Sequence, residues 1–142
     1  MTQSIGAQLR ANAVALLSLV VALSSLSYST WRNERSEENR TTRQAAFQLL
    51  TALGQMQELV YHAHYDRDAE HGNPRTGWVY VQTINDFSAA MPPPVPERAA
   101  ALLAAWREHW EGLGERDSDA DAISDALESC RAAVVASIRS LR

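Results

Sequence analysis

Two regimes of apolar spacing divide the chain. From Ala11 to Trp31 no charged side chain interrupts the sequence. At about 1.5 Å per helical residue, such a run matches a bilayer core of roughly 30 Å. Beyond Arg43, apolar residues instead recur in alternating steps of three and four, the signature of amphipathic helices. Ala46, Leu49, Leu53, Met56, Val60 and Ala63 form the first such stripe. Neither Gly nor Pro occurs between Trp31 and Ala46, so one helix is predicted to run unbroken from the apolar segment to about Tyr65 and to stop before Gly72-Asn73-Pro74.

A second stripe places Tyr80, Ile84, Phe87 and Met91 on one face and ends at Pro92-Pro93-Pro94, where proline removes the helical donor. Pro96 suits the first turn of a third helix. The apolar face of that helix is Ala99, Leu102, Leu103, Trp106, Trp110 and Leu113, closed by Gly112 and Gly114. Ser118 to Asp121 resembles a capping box with Asp in place of Glu, and opens a fourth helix with Ala120, Ile123, Leu127, Cys130, Val134, Ile138 and Leu141 inward. Period-two alternation is absent over any useful length, which argues against a sheet. The expected fold is all-α: an N-terminal transmembrane helix continuing into a stalk and a small antiparallel bundle of about four helices, since four apolar stripes are buried most simply against each other. The corresponding segments are an N-terminal tail 1–10, a transmembrane helix 11–31, a charged juxtamembrane collar 32–43 and a helical bundle domain 44–142.

Several features characterise the apolar segment. A cleavable signal peptide would have a shorter apolar region and an A-x-A-like site, whereas Leu26-Ser27-Tyr28 leads directly to Trp31. Tyr28 and Trp31 fall where an aromatic belt marks the headgroup level, and Arg10, Arg32 and Arg35 bracket the span. One Arg precedes the segment and Arg32, Arg35, Arg40 and Arg43 follow it, a bias that places the C-terminal domain in the cytoplasm and the anchor in the inner membrane. Ala11, Ala15, Ser18, Ala22, Ser25 and Ser29 line one helix face as a seam of small residues, which permits close helix approach in lipid. The collar lacks an apolar face and relies on pairs such as Arg35 with Asn39, or Glu34 and Glu38 with neighbouring Arg.

Composition narrows the functional classes. The net charge of -4 and pI near 5.5 argue against nucleic acid as partner, because phosphate neutralisation needs a basic surface. A single cysteine, Cys130, excludes an internal disulfide and a thiolate zinc site. Its place on the fourth stripe fits a small core residue better than an activated nucleophile.

The stretch ALSSLSYSTWRNERSEENRTTRQAAF at 22–47, HYDRD at 64–68 and GNPRTGWVYV at 72–81 resemble short single-pass membrane proteins of proteobacteria. The resemblance implies a membrane anchor and carries no activity to transfer.

Two polar clusters invite a metal. On a helix continuing past Tyr65, His64, Asp68 and His71 lie at i, i+4 and i+7, where two imidazoles and a carboxylate would converge, with His109 a conceivable fourth ligand. Asp117, Asp119, Asp121, Asp125 and Glu128 match positions one, three, five, nine and twelve of a calcium loop, but Ala122 stands where the turn needs Gly. Asn73 to Gly77 offers Arg75 and backbone amides to an anion or forms a plain turn. Trp78, Trp106 and Trp110 suit a core or its rim. With no catalytic motif, the expected function is a non-enzymatic membrane-anchored interaction module, an accessory subunit of a membrane complex being one form of it. Its expected partners are the lipid bilayer and another membrane protein or a second copy, without nucleic acid or a cofactor. Two alternatives remain open: a periplasmic sensor or ligand-binding helical domain, and a metal-dependent enzyme using His64, Asp68 and His71.

Overall fold

The computed structural model describes residues 5–141, with side chains described from residue 12 onward. The described residues form four α-helices and one 3-10 turn, without a strand: α1 (Ile5–His64), α2 (Pro74–Ser88), α3 (Val95–His109), the turn Trp110–Gly112, and α4 (Asp117–Ser140). The chain divides into two compact units, Met1–Glu38 and Asn39–Arg142, and α1 contributes residues to both.

In the first unit, every described side chain from 12 to 38 is exposed. In the second, a single hydrophobic cluster draws on all four helices. α1 supplies Leu49, Leu53, Met56 and Val60, α2 supplies Val81 and Ile84, α3 supplies Val95, Ala99, Leu102 and Trp106, and α4 supplies Ile123, Leu127, Cys130 and Val134. α3 packs against both α2 and α4. Each large aliphatic side chain buried this way contributes about 1.5–3 kcal/mol, and tertiary burial rather than propensity maintains short helices such as α2 and α3.

The helix ends follow from local chemistry. Asn73 caps α2, its side chain accepting from the Arg75 amide at 3.0 Å, and Pro74 fills the first helical position, where no amide is needed. Glu97 opens α3 and Arg107 and His109 close it, each sign matched to the macrodipole. At the end of α4, Arg43 donates to the Leu141 carbonyl at 3.4 Å.

Two sequence expectations need correction. The inward face of α2 is Gly77, Val81, Ile84 and Ser88, while Phe87 is exposed and Tyr80 is half-buried. The stripe is turned because Gly77, invisible to a hydrophobic pattern, lies directly against the Trp106 indole. α4 starts at Asp117 rather than after a Ser118 cap, and Arg116 at the cap position makes no side-chain capping bond. Asp119, in the first turn, is instead drawn to His109 and Arg116.

Candidate functional site

The exposed apolar helix is the feature least compatible with water. Its Leu and Val residues at 14, 16, 17, 19, 20, 21, 23 and 26 are 54–70% exposed. Soluble monomers rarely expose a contiguous apolar patch of more than a few hundred Å². α1 is the one helix among the described residues long and apolar enough to cross a membrane. Two of its hydroxyls are satisfied within the helix, as a dry environment requires: Ser18 donates to the Val14 carbonyl at 2.7 Å and Thr30 to the Leu26 carbonyl at 3.0 Å.

Ala15, Ser18, Ala22, Ser25 and Ser29 fall within a helical arc of about 80°, all exposed. The Ser18 hydroxyl is turned to its own backbone, so that position offers low volume rather than a bond to a neighbour. The side chains of Arg10 and Ala11 lie outside the described residues. At the other end, the Tyr28 and Trp31 rings lie 6.1 Å apart, and the Arg35 guanidinium stands 5.3 Å from the centre of the Trp31 ring. Arg32 is exposed beside them.

The second polar region surrounds the C-terminal end of α1. The helix ends at His64, and the chain turns through Arg67, whose φ of 53° lies in the left-handed region. The turn brings the Asp68 amide to the His62 carbonyl at 2.9 Å. His64, Asp68 and His71 therefore do not share a helix face, and the proposed metal triad is not assembled. The His64 Nδ1 donates to the Leu113 carbonyl at 2.9 Å, and its Nε2 lies 3.3 Å from Asp117. Asp68 and His71 do meet, but as a pair: Oδ2 accepts from the His71 Nδ1 at 2.7 Å, and Oδ1 accepts from the Glu70 and His71 amides. The imidazole of His71, then these amides, hold the Asp68 carboxyl down to about 2, and Asp68 in turn raises the His71 pKa. Among the described residues no three or more His, Cys, Asp or Glu gather as a metal-binding set.

The calcium-loop reading is corrected in the same way. Asp117 to Glu128 is helical throughout, which strings Asp117, Asp121, Asp125 and Glu128 along one exposed face of α4 and turns Asp119 to the opposite, buried side, instead of wrapping the carboxylates about one point. Asp119 is buried and accepts from the His109 Nδ1 at 2.8 Å, with Arg116 on its other oxygen. The His109 hydrogen bond is the main reason its pKa is lowered. His64 and His109 thus tie the 3-10 region and the start of α4 to α1 and α3, a structural task that side-chain spacing alone did not reveal.

Between the α1 turn and the 3-10 region lies an open cleft of about 620 Å³. Ala63, Arg67, Gly72, Trp110, Leu113 and Glu115 are among its lining residues. Elsewhere, Trp78 packs edge-on to both Trp106 and Trp110, with ring centres 6.4 Å apart in both pairs, so the three indoles form core and rim. Burial pushes the Cys130 thiol up to about 11, the reverse of what a nucleophile needs. Comparison with protein-family models, with curated proteins and with solved structures gave no match to this chain.

Proposed function

We propose that this chain is a non-enzymatic, membrane-anchored helical interaction module, an accessory subunit of a complex in the inner membrane. The observation that carries the reading is the apolar run of α1, exposed at every described position from 12 to 31 and therefore in need of a non-aqueous cover. In this reading, residues 44–142 form an antiparallel four-helix bundle on the cytoplasmic side, and the small-residue face Ala15 to Ser29 meets another membrane helix or a second copy. Native mass measurement after detergent extraction tests it. The expected result is a co-purifying partner or an oligomer, and a strictly monomeric chain that retains nothing would overturn it.

The cleft beside the α1 turn favours a second reading, a ligand-binding sensor domain, because about 300–1,000 Å³ is the usual size of a small-molecule site. In that form the domain faces the periplasm. A reporter fused after residue 142 separates the two readings: a cytoplasmic signal removes the periplasmic sensor, and a periplasmic signal removes the cytoplasmic module.

A further inference from the structure

The charged residues next to the apolar run are sorted around the helix. At about 100° per residue, Tyr28, Trp31, Arg32 and Arg35 fall within an arc of roughly 100°, whereas Glu34 and Glu37 face away from it and Glu38 flanks its edge. All four residues of the arc are exposed. Within it, the Tyr28 and Trp31 ring centres lie 6.1 Å apart, and the Arg35 guanidinium stands over the indole, 5.3 Å from its centre. A guanidinium is planar and weakly hydrated, and stacking covers one of its faces while leaving its N–H edge open. That edge is the group that binds phosphate in bidentate fashion. Tyr and Trp at the end of an apolar helix sit at headgroup depth, where the available phosphates belong to lipids. A zwitterionic headgroup compensates its phosphate with its own ammonium, whereas an anionic one leaves the charge for the protein.

We propose that Tyr28, Trp31, Arg32 and Arg35 form a binding site for the phosphate of anionic phospholipids at the end of the span, with Trp31 presenting the edge of the Arg35 guanidinium to the headgroup. The proposal rests on the reading that α1 crosses the membrane. It goes beyond a general attraction of basic residues to the bilayer, because it makes the uncharged Trp31 a determinant of lipid choice.

The test uses the purified full chain in a mild non-ionic detergent, titrated with phosphatidylglycerol or phosphatidylcholine and read by native mass spectrometry. Phosphatidylglycerol should bind at least about fivefold more tightly, the factor corresponding to one arginine near an anionic surface. W31L should reduce that preference severalfold although no charge changes. R35K should reduce it less than R35Q, because lysine keeps the charge and loses the flat donor edge. Both positions are exposed on the helix, and an unaltered far-UV circular dichroism spectrum confirms that the fold is intact. Equal binding of the two lipids would overturn the proposal. So would a W31L variant with the full preference of the wild type, which would reduce the effect to charge alone. Millimolar inorganic phosphate should not displace phosphatidylglycerol, and displacement would reassign the site to free phosphate. Membrane retention after alkaline carbonate treatment reads the anchor separately: a retained chain without lipid preference sinks only the headgroup site, and a released chain sinks the anchor.

Discussion

Two glycines on helices offer one substitution with opposite expected outcomes. Replacing a helical glycine with alanine gains about 0.5–1 kcal/mol of backbone entropy and propensity. At Gly54, within α1, an added Cβ meets nothing within 4 Å, so Gly54→Ala should stabilise the chain by about that amount. At Gly77 the added Cβ would fall on the six-membered ring of Trp106, closer than carbon atoms can approach. That indole is fully buried and enclosed by the core, so it cannot swing aside. Overpacking of this kind costs about 1–3 kcal/mol. Gly77 also lies in the first turns of α2, where the propensity gain is smaller, so the two alanine variants should differ by at least the overpacking cost. Urea denaturation of the full chain in detergent, followed by circular dichroism, gives the midpoints and slopes that measure the difference. Gly77→Ala should unfold earlier than wild type and Gly54→Ala later. Adding Trp106→Phe to Gly77→Ala should recover part of the loss, because the smaller ring makes room and the buried, unpartnered Trp106 N–H is removed with it. A Gly77→Ala variant as stable as wild type, or a Gly54→Ala variant less stable, would refute the packing described for this corner.

Four further outcomes follow from the titratable side chains. The Asp68 carboxyl should titrate at about 2 by NMR and return towards 3.8 in His71→Ala, whose imidazole is the main cause of the depression. Because that pKa is lowered on folding, the stability it confers is present above the ordinary carboxylate value and is lost as pH falls through about 2. His71 has the opposite sign: raised by Asp68, it contributes fully below 6.5 and loses that contribution as pH rises through its folded value, so His71→Ala should cost less stability at high pH than at pH 5. Asp119→Asn should destabilise the chain at neutral pH and much less in acid, where the wild-type carboxyl is itself protonated, because a charged acceptor between His109 and Arg116 is lost only in the first case. Cys130 should react with a thiol reagent only after unfolding, and rapid labelling of the native chain would contradict its burial.

The legible and illegible parts of this chain separate on physical grounds. Wherever a helix presents bulky apolar residues to the core, spacing suffices: Leu49, Leu53, Met56 and Val60 on α1 and Ile123, Leu127, Cys130 and Val134 on α4 are buried as their periodicity predicts. Asn73-Pro74 and the prolines from 92 to 94 mark helix limits because their effect is local. The face of α2 was hidden because its central contact is a glycine, whose role is set by the size of an indole far away in sequence. The histidine cluster misled because the triad required α1 to continue through Asp68, whereas the turn at Arg67 pairs Asp68 with His71 and leaves His64 to Leu113 and Asp117. The Asp119 network could have been suspected only from an acid placed three residues after Arg116, and its His109 partner on α3 has no local signal.

The claim on which the rest depends is that the apolar part of α1 remains as a membrane anchor. Alkaline carbonate extraction of membranes from cells making the full chain, with intact mass measured on the retained material, addresses it most directly. An anchor predicts a chain that stays in the membrane pellet with residues 11–31 still attached. Recovery in the carbonate supernatant, or a mass showing that the segment before Trp31 has been cleaved away, would contradict it.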